Sequence, residues 1–142
     1  DNSLIADGFA RYGLKSEALQ VMTGLFDASL FFDLHRLPEL FCGFARRPGE
    51  SPTQYPVSCS PQAWASGAAL LLLQSCLNLR VLGTEGRVVF TKPLLPEYLA
   101  AVSIRGLRVR DAVLDLVILR HGNDTAIDVP RKEGDVEVLT VE

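Results

Sequence analysis

One stretch, residues 63–79, is apolar or small on almost every side when it is drawn as a helix. A helix that is hydrophobic all round is buried all round, so this stretch requires packing partners on every side. It contains Gln74 and Ser75 and falls short of the ~20 apolar residues that a bilayer span needs, so we expect a buried helix and no membrane partner. Ser60 before Pro61 predicts its start, with a capping hydroxyl ahead of a proline at the first helical position.

Two further helices are predicted ahead of this one. Residues 3–12 place Leu4, Ile5 and Tyr12 on one apolar face, and residues 16–33 form an amphipathic helix with one side toward solvent. The three helices therefore alternate between a mixed, an exposed and an enclosed one. Since two neighbours cannot cover every side of the third helix, an isolated chain is expected to expose a large apolar patch or to self-associate.

Beyond Leu82 the pattern changes to that of β-strands. Strands are predicted at residues 87–91, 102–109, 113–120, 125–129 and 136–141, and turns at Gly122-Asn123-Asp124 and Gly134-Asp135. The sequence therefore predicts a mainly α chain with a β tail. We expect a helical unit over residues 1–82 and a small antiparallel β-sheet over residues 83–142.

Composition excludes several classes of function. The net charge is −3 and the basic residues are scattered, so no nucleic-acid-binding stripe is expected. Three cysteines at irregular spacing fit neither a disulfide framework nor a metal motif, which favours reduced thiols in a cytoplasmic protein. His35 and His121 have no partner at metal-ligand spacing, so no metal or cofactor is expected. The chain begins at Asp1 without Met or a signal-like stretch, and we expect a piece of a longer protein.

The segment between the second and third helices is long and rich in proline. Residues 34–60 are too irregular for a helix or strand, and loops longer than roughly 15 residues are mostly functional or disordered. Aromatic and aliphatic residues throughout argue against disorder. Within it, Glu39 is set among Leu37, Leu40 and Phe41, and a carboxyl group among apolar side chains suits a residue that must take up a proton. An ordered active-site loop is our hypothesis, and a solvated surface carboxylate is the alternative.

Helix polarity places this loop beside the start of the chain. Successive helices joined by a short turn run antiparallel, so the first and third helices begin at the same end of the bundle. Asp1, Asn2, Glu39 and Gln62 are therefore expected to converge on one cleft. The alternative is that Asp1 and Asn2 only cap the first helix and that Gln62 is an ordinary first-turn polar residue.

Two aromatic residues complete the candidate site. Trp64 and Tyr55 are placed to provide an aromatic platform for a ligand ring, although a Trp at the start of a buried helix is more often part of a core.

Three ordered blocks of the sequence resemble a known family. They are DNSLIADGFARYG at 1–13, LPELFCG at 37–43 and YPVSCSPQAW at 55–64, followed by IRGLRV at 104–109 and GDVEV at 134–138. Together these blocks resemble the C-terminal end of bacterial glycogen debranching (amylo-α-1,6-glucosidase) family proteins. The family's motif normally opens with Trp-Pro-His ahead of the Asp-Asn pair, and this chain lacks those three residues.

The resemblance implies a fold and a set of roles. The family is similar to the glucoamylase-like, six-hairpin glycosidase clan, whose catalytic domain is an (α/α)6 barrel, so the three helices are expected to be its last ones. It implies that Glu39 is the catalytic general base and that Asp1 and Asn2 face an α-glucan substrate. Inverting hydrolysis needs a second carboxyl group about 6.5–9.5 Å away, and the resemblance places that acid upstream of this chain.

The resemblance therefore implies an inverting α-glucosidase as the intact protein and an inactive chain on its own. Two alternatives remain open. One is a non-catalytic interaction or carbohydrate-binding module whose Pro-rich loop contacts a partner, and the other is a structural tail that closes a larger protein.

Overall fold

The computed structural model describes residues 1–122 and 124–141. Over this range helix and strand occur in nearly equal shares, 31% and 32%. The α-helices are α1 (Asn2–Arg11), α2 (Lys15–Ser29) and α3 (Ala65–Leu77), and the strands are β1 (Leu79–Leu82), β2 (Arg87–Thr91), β3 (Ala101–Val109), β4 (Ala112–His121), β5 (Asp124–Glu133) and β6 (Glu137–Val141). The chain is therefore a small α+β domain.

The predicted architecture, mainly α with the last helices of an (α/α)6 barrel, is wrong. In a barrel α3 would pack between neighbouring helices, whereas here its last residue, Leu77, is fully buried in the core that the strands form. Asn78 then adopts a left-handed conformation (φ 44°) and turns the chain straight into β1. The helices thus pack onto the strands as part of one small α+β fold.

The strands form two three-stranded sheets, in the orders β1-β2-β6 and β3-β4-β5. The expectation of one small antiparallel sheet is wrong, because β6 runs parallel to β2 with Arg87 opposite Glu137. A parallel partner cannot be reached by a tight hairpin, so β6 leaves its predecessor β5 and crosses to the other sheet. The predicted turn at 122–124 includes Asn123, which lies outside the described residues.

Gly134 makes this crossing possible. Its φ is +86°, and a Cβ at this position would lie 2.9 Å from the Cα of Ala112. Only glycine fits a close backbone approach in this left-handed conformation.

The apolar core has two parts. The larger cluster joins the inner faces of both sheets and the end of α3, and it contains Leu77, Val88, Phe90, Leu95, Val109, Ala112, Leu114, Leu116, Ile118 and Val136. The smaller cluster lies among the helices and consists mainly of small side chains, namely Ala6, Ala10, Ala18, Met22, Leu72 and Cys76. Small residues allow the helices to approach closely, but they bury little apolar surface.

Two predicted helix faces differ from the structure. In α1 the buried side carries Ser3, Ala6 and Ala10, whereas Leu4 and Tyr12 on the predicted face are 65% and 87% exposed. Leu4 and Ile5 point outward because the small residues of α1 meet α2 and α3, whereas Phe9 is partly buried and packs against the helical cluster. The prediction that the third helix is buried all round is wrong for its first half, where Leu70 is 72% exposed. No described helix has the length and apolar character to cross a membrane.

The Pro-rich loop is held by hydrogen bonds between its two arms. Backbone N–H groups of Glu39, Cys42 and Gln62 donate to the carbonyls of Cys59, Thr53 and Leu37 at 2.9, 2.9 and 3.1 Å. These bonds agree with the predicted ordered loop. The predicted Ser60-Pro61 helix start is wrong, because residues 62–67 first form turns with i to i+3 hydrogen bonds and α3 begins only at Ala65.

Candidate functional site

A cavity of about 390 Å³ lies where α1, α3 and the Pro-rich loop meet. Asp1, Asn2, Glu39 and Trp64 all line it, although they come from three separate parts of the sequence. We call it the polar cavity. Four of the six predicted site residues are therefore brought together by the fold.

The starts of α1 and α3 supply two sides of the polar cavity, as the predicted antiparallel packing requires. Asp1 occupies the N-cap position of α1, but its side chain makes no capping hydrogen bond. The alternative in which Asp1 caps the helix with its carboxylate therefore fails. Trp64 occupies the N-cap position of α3 and is 71% exposed, so it is not a core residue.

Glu39 is fixed by its own loop. Its backbone N–H donates to the carbonyl of Cys59, and its carboxylate oxygen Oε2 accepts a hydrogen bond from the backbone N–H of Cys59 at 3.2 Å. No described residue donates a hydrogen bond to the other oxygen, Oε1. The side chain is half-buried. This arrangement holds one carboxylate oxygen on the backbone and leaves the second for a water molecule or a ligand hydroxyl.

The polar cavity combines features that suit a neutral polyhydroxylated ligand. Carboxylate and amide groups accept and donate several hydrogen bonds, and an exposed indole ring offers a flat apolar surface. Among residues 1–122 and 124–141, no three His, Cys, Asp or Glu side chains are placed to hold a metal ion. The residues that do line this cavity offer hydrogen-bonding groups at Asp1, Asn2 and Glu39 and an aromatic surface at Trp64.

The other two predicted residues lie elsewhere. Gln62 lines a neighbouring cavity of about 690 Å³, and its side-chain oxygen accepts a hydrogen bond from the backbone N–H of Ala63 at 2.7 Å. The prediction that Gln62 joins Asp1, Asn2 and Glu39 is therefore wrong for the polar cavity. Tyr55 is 45% exposed and lines neither of these two cavities.

The sequence predicts no individual role for several residues that line the polar cavity, although Phe41 and Cys42 belong to the predicted active-site loop. Phe41 and Cys42 line it because the loop doubles back, with Phe41 paired to Gln54 and the Cys42 thiol donating to the Gln54 carbonyl at 3.4 Å. Ala68 lies one turn into α3 on the same side. Their signal in the sequence is only their nearness to Glu39 and Trp64, because the pairing across the loop has no local pattern.

Comparison of the chain with models of protein families, with curated proteins and with solved structures finds no match.

Proposed function

We propose that the polar cavity binds an α-glucan and that Glu39 is the general base of an inverting α-glucosidase of the glycogen-debranching type. The observation that carries the proposal is the convergence of Asp1, Asn2, Glu39 and Trp64 on one cavity. The predicted barrel has no part in it, because the fold is α+β. The expected setting is cytoplasmic.

The geometry of Glu39 supports the role of a base. The bond from the Cys59 N–H to Oε2 orients the carboxylate, and Oε1 is left to accept a proton from an attacking water. Asp1 and Asn2 supply polar groups for sugar hydroxyls, and Trp64 supplies a face on which a sugar ring packs. The proposal assigns Asp1 to substrate binding and assigns no residue of this chain as the general acid that inversion needs, so we expect the chain alone to bind the saccharide without hydrolysing it.

Isothermal titration calorimetry with panose, which contains α-1,6 and α-1,4 linkages, tests the binding step. Ala68→Phe fills the polar cavity, and Ala69→Phe is its matched control because Ala69 lines the neighbouring cavity. We expect panose to bind the unmodified chain and Ala69→Phe alike, and Ala68→Phe to bind at least about tenfold more weakly. Equal affinity for β-linked cellotriose, or no effect of Ala68→Phe, contradicts the proposal.

Turnover tests the role of Glu39. Glu39→Gln keeps an oxygen that can accept a hydrogen bond from the Cys59 N–H, but it removes the base. In an active protein that contains both this chain and the general acid, the rate of hydrolysis should therefore fall by about 10²–10⁴-fold. A loss of less than about tenfold moves the role to another carboxylate. Glucose release by the purified chain alone contradicts the assignment of a single catalytic carboxyl group.

A non-catalytic carbohydrate-binding or interaction module is the second candidate. It is favoured by the bond between Glu39 and Cys59, which also serves simply to brace the loop. Under this alternative Glu39→Gln leaves turnover unchanged, while Ala68→Phe still weakens panose binding. The same two assays therefore separate the two functions.

A further inference from the structure

A second cavity lies between α2 and α3, on the other side of Leu25, Leu37 and Ala65, which line both cavities. It encloses about 690 Å³, within the range of roughly 300–1,000 Å³ that is typical of small-molecule sites. We call it the apolar groove. The function proposed above does not use it.

The two ends of the apolar groove differ in chemistry. Its inner end is closed by Met22, Leu72, Leu73, Leu99 and Val102, which belong to or pack on the two core clusters. Such an end accepts only apolar atoms.

The outer end lies where α2 stops and the Pro-rich loop begins. His35 and Arg36 line it, and the Nδ1 atom of His35 lies 3.4 Å from the carbonyl oxygen of Ser29. Leu34 and His35 both have left-handed backbones, with φ of 54° and 57°, a conformation that costs non-glycine residues free energy and that bends the chain across this opening.

The side chains that line the apolar groove carry no negative charge. None of the residues that line the apolar groove is Asp or Glu, whereas Arg36 contributes a guanidinium group. The guanidinium of Arg36 makes no ion pair with any described residue. An apolar channel with a guanidinium at its mouth is complementary to an alkyl chain that ends in an anionic group.

The length of the apolar groove selects among possible occupants. On α2 it extends from Met22 to Ser29, and the seven steps between these residues span about 10 Å of helix. An average helix of about 11 residues is roughly 17 Å long, so a partner helix would overrun the closed inner end. We infer that the apolar groove binds a free medium-chain alkyl carboxylate, with the carboxylate at Arg36 and the alkyl chain between α2 and α3.

Calorimetric titration of the intact chain with hexanoate, octanoate and decanoate, all kept below their aggregation concentrations, tests this assignment. Each methylene that enters the apolar groove should tighten the Kd about fourfold. Octyltrimethylammonium, which reverses the head-group charge, should bind at least about tenfold more weakly than octanoate. Affinity that does not rise with chain length overturns the proposal.

Two variants with matched controls locate the binding. Arg36→Gln should weaken octanoate binding about tenfold, whereas Arg80→Gln, an exposed arginine on β1, should change it less than twofold. Ala69→Phe should abolish binding by filling the groove, and Ala68→Phe should not. Unchanged affinity in both Arg36→Gln and Ala69→Phe overturns the assignment, and if Ala69→Phe does not fold, Arg36→Gln and the head-group comparison decide alone.

Analytical ultracentrifugation of the ligand-free chain tests whether a second copy of the chain occupies the apolar groove instead. A monomer that binds octanoate supports the proposal. A dimer that Ala69→Phe dissociates, combined with no octanoate binding, overturns it and assigns the apolar groove to a second copy of the chain. Because none of these readouts involves saccharide, this inference and the proposed function fail independently.

Discussion

Two leucines on the same helix should differ sharply in how much they stabilise the chain. Leu77, the last residue of α3, is fully buried against both sheets, and Leu70, seven residues earlier, is 72% exposed. Leu77→Ala therefore removes core contacts and leaves a cavity, whereas Leu70→Ala makes the same chemical change on the surface. Both variants change a helical leucine to alanine, so the difference between their effects on stability reports the contribution of core packing.

The expected magnitudes follow from burial. Replacing a fully buried leucine with alanine costs about 2–5 kcal/mol, and we expect about 3 kcal/mol for Leu77→Ala. At roughly 2–4 °C per kcal/mol for a chain near this size, the Tm should fall by about 6–12 °C. Leu70→Ala should change the free energy of unfolding by less than about 0.5 kcal/mol.

Urea and thermal denaturation followed by circular dichroism measure both variants. The midpoint of Leu77→Ala should fall without a change in the denaturant slope, which would indicate a loss of stability in an unchanged fold. Helical and near-ultraviolet signals should also be lost together, because Leu77 couples α3 to the core of the sheets. Equal destabilisation by the two substitutions would refute the packing of α3 described above.

Two substitutions and one labelling experiment test the sheets and the helical cluster. Gly134→Ala should destabilise the chain by about 2–4 kcal/mol in a melt, because it combines a left-handed backbone with a clash on Ala112; an unchanged Tm would contradict the crossing at that position. Burial raises the pKa of the Cys76 thiol from 9.0 to about 11, so the folded chain keeps a proton that the unfolded chain releases between these values. The contribution of this thiol to the free energy of unfolding is fully present below pH 9 and is lost as the pH rises toward 11. Urea titrations at several pH values should show that Cys76→Ala lacks this loss of stability. An identical pH profile in the variant and the unmodified chain would contradict it. In the native chain at pH 8, a thiol reagent should label the exposed Cys59 but not Cys76; labelling of Cys76 at the rate of Cys59 would contradict its burial.

Local patterns in the sequence predict individual elements well. Predicted strands at 87–91 and 102–109 correspond to β2 (Arg87–Thr91) and β3 (Ala101–Val109), because alternation and β-branched residues act over a few positions. The helical spacing likewise predicts α1 and α2. The four-residue strand β1 falls inside the predicted helical unit at residues 1–82, since leucines at 79 and 82 fit either period.

Long-range arrangement is where the prediction fails. Nothing local to residues 137–141 indicates a parallel pairing with residues 87–91, because that register depends on Gly134 packing on Ala112 and on the route of the chain between sheets. The helix faces fail for a similar reason. Hydrophobicity assigns Leu4 and Ile5 of α1 to the core, whereas close approach of the helices selects the small residues Ala6 and Ala10.

The sequence predicts the proximity of some residues that line the polar cavity. Antiparallel packing of successive helices was sufficient to bring Asp1 and Asn2 to Glu39, and this packing holds whether the helices belong to a barrel or to an α+β domain. Gln62 was misplaced because the turn at 62–67 delays the start of α3 and directs its side chain to the neighbouring Ala63. The division into units at residues 1–82 and 83–142 stays a prediction.

Fluorescence of Trp64 tests the proposed saccharide site most directly. It is the single tryptophan of the chain, so excitation of indole reports on the polar cavity alone. Panose should change the emission saturably in the unmodified chain and in Ala69→Phe, and this change should be lost in Ala68→Phe. A spectrum that does not respond to panose at millimolar concentration, in a chain shown by circular dichroism to be folded, would contradict the assignment of the polar cavity to an α-glucan.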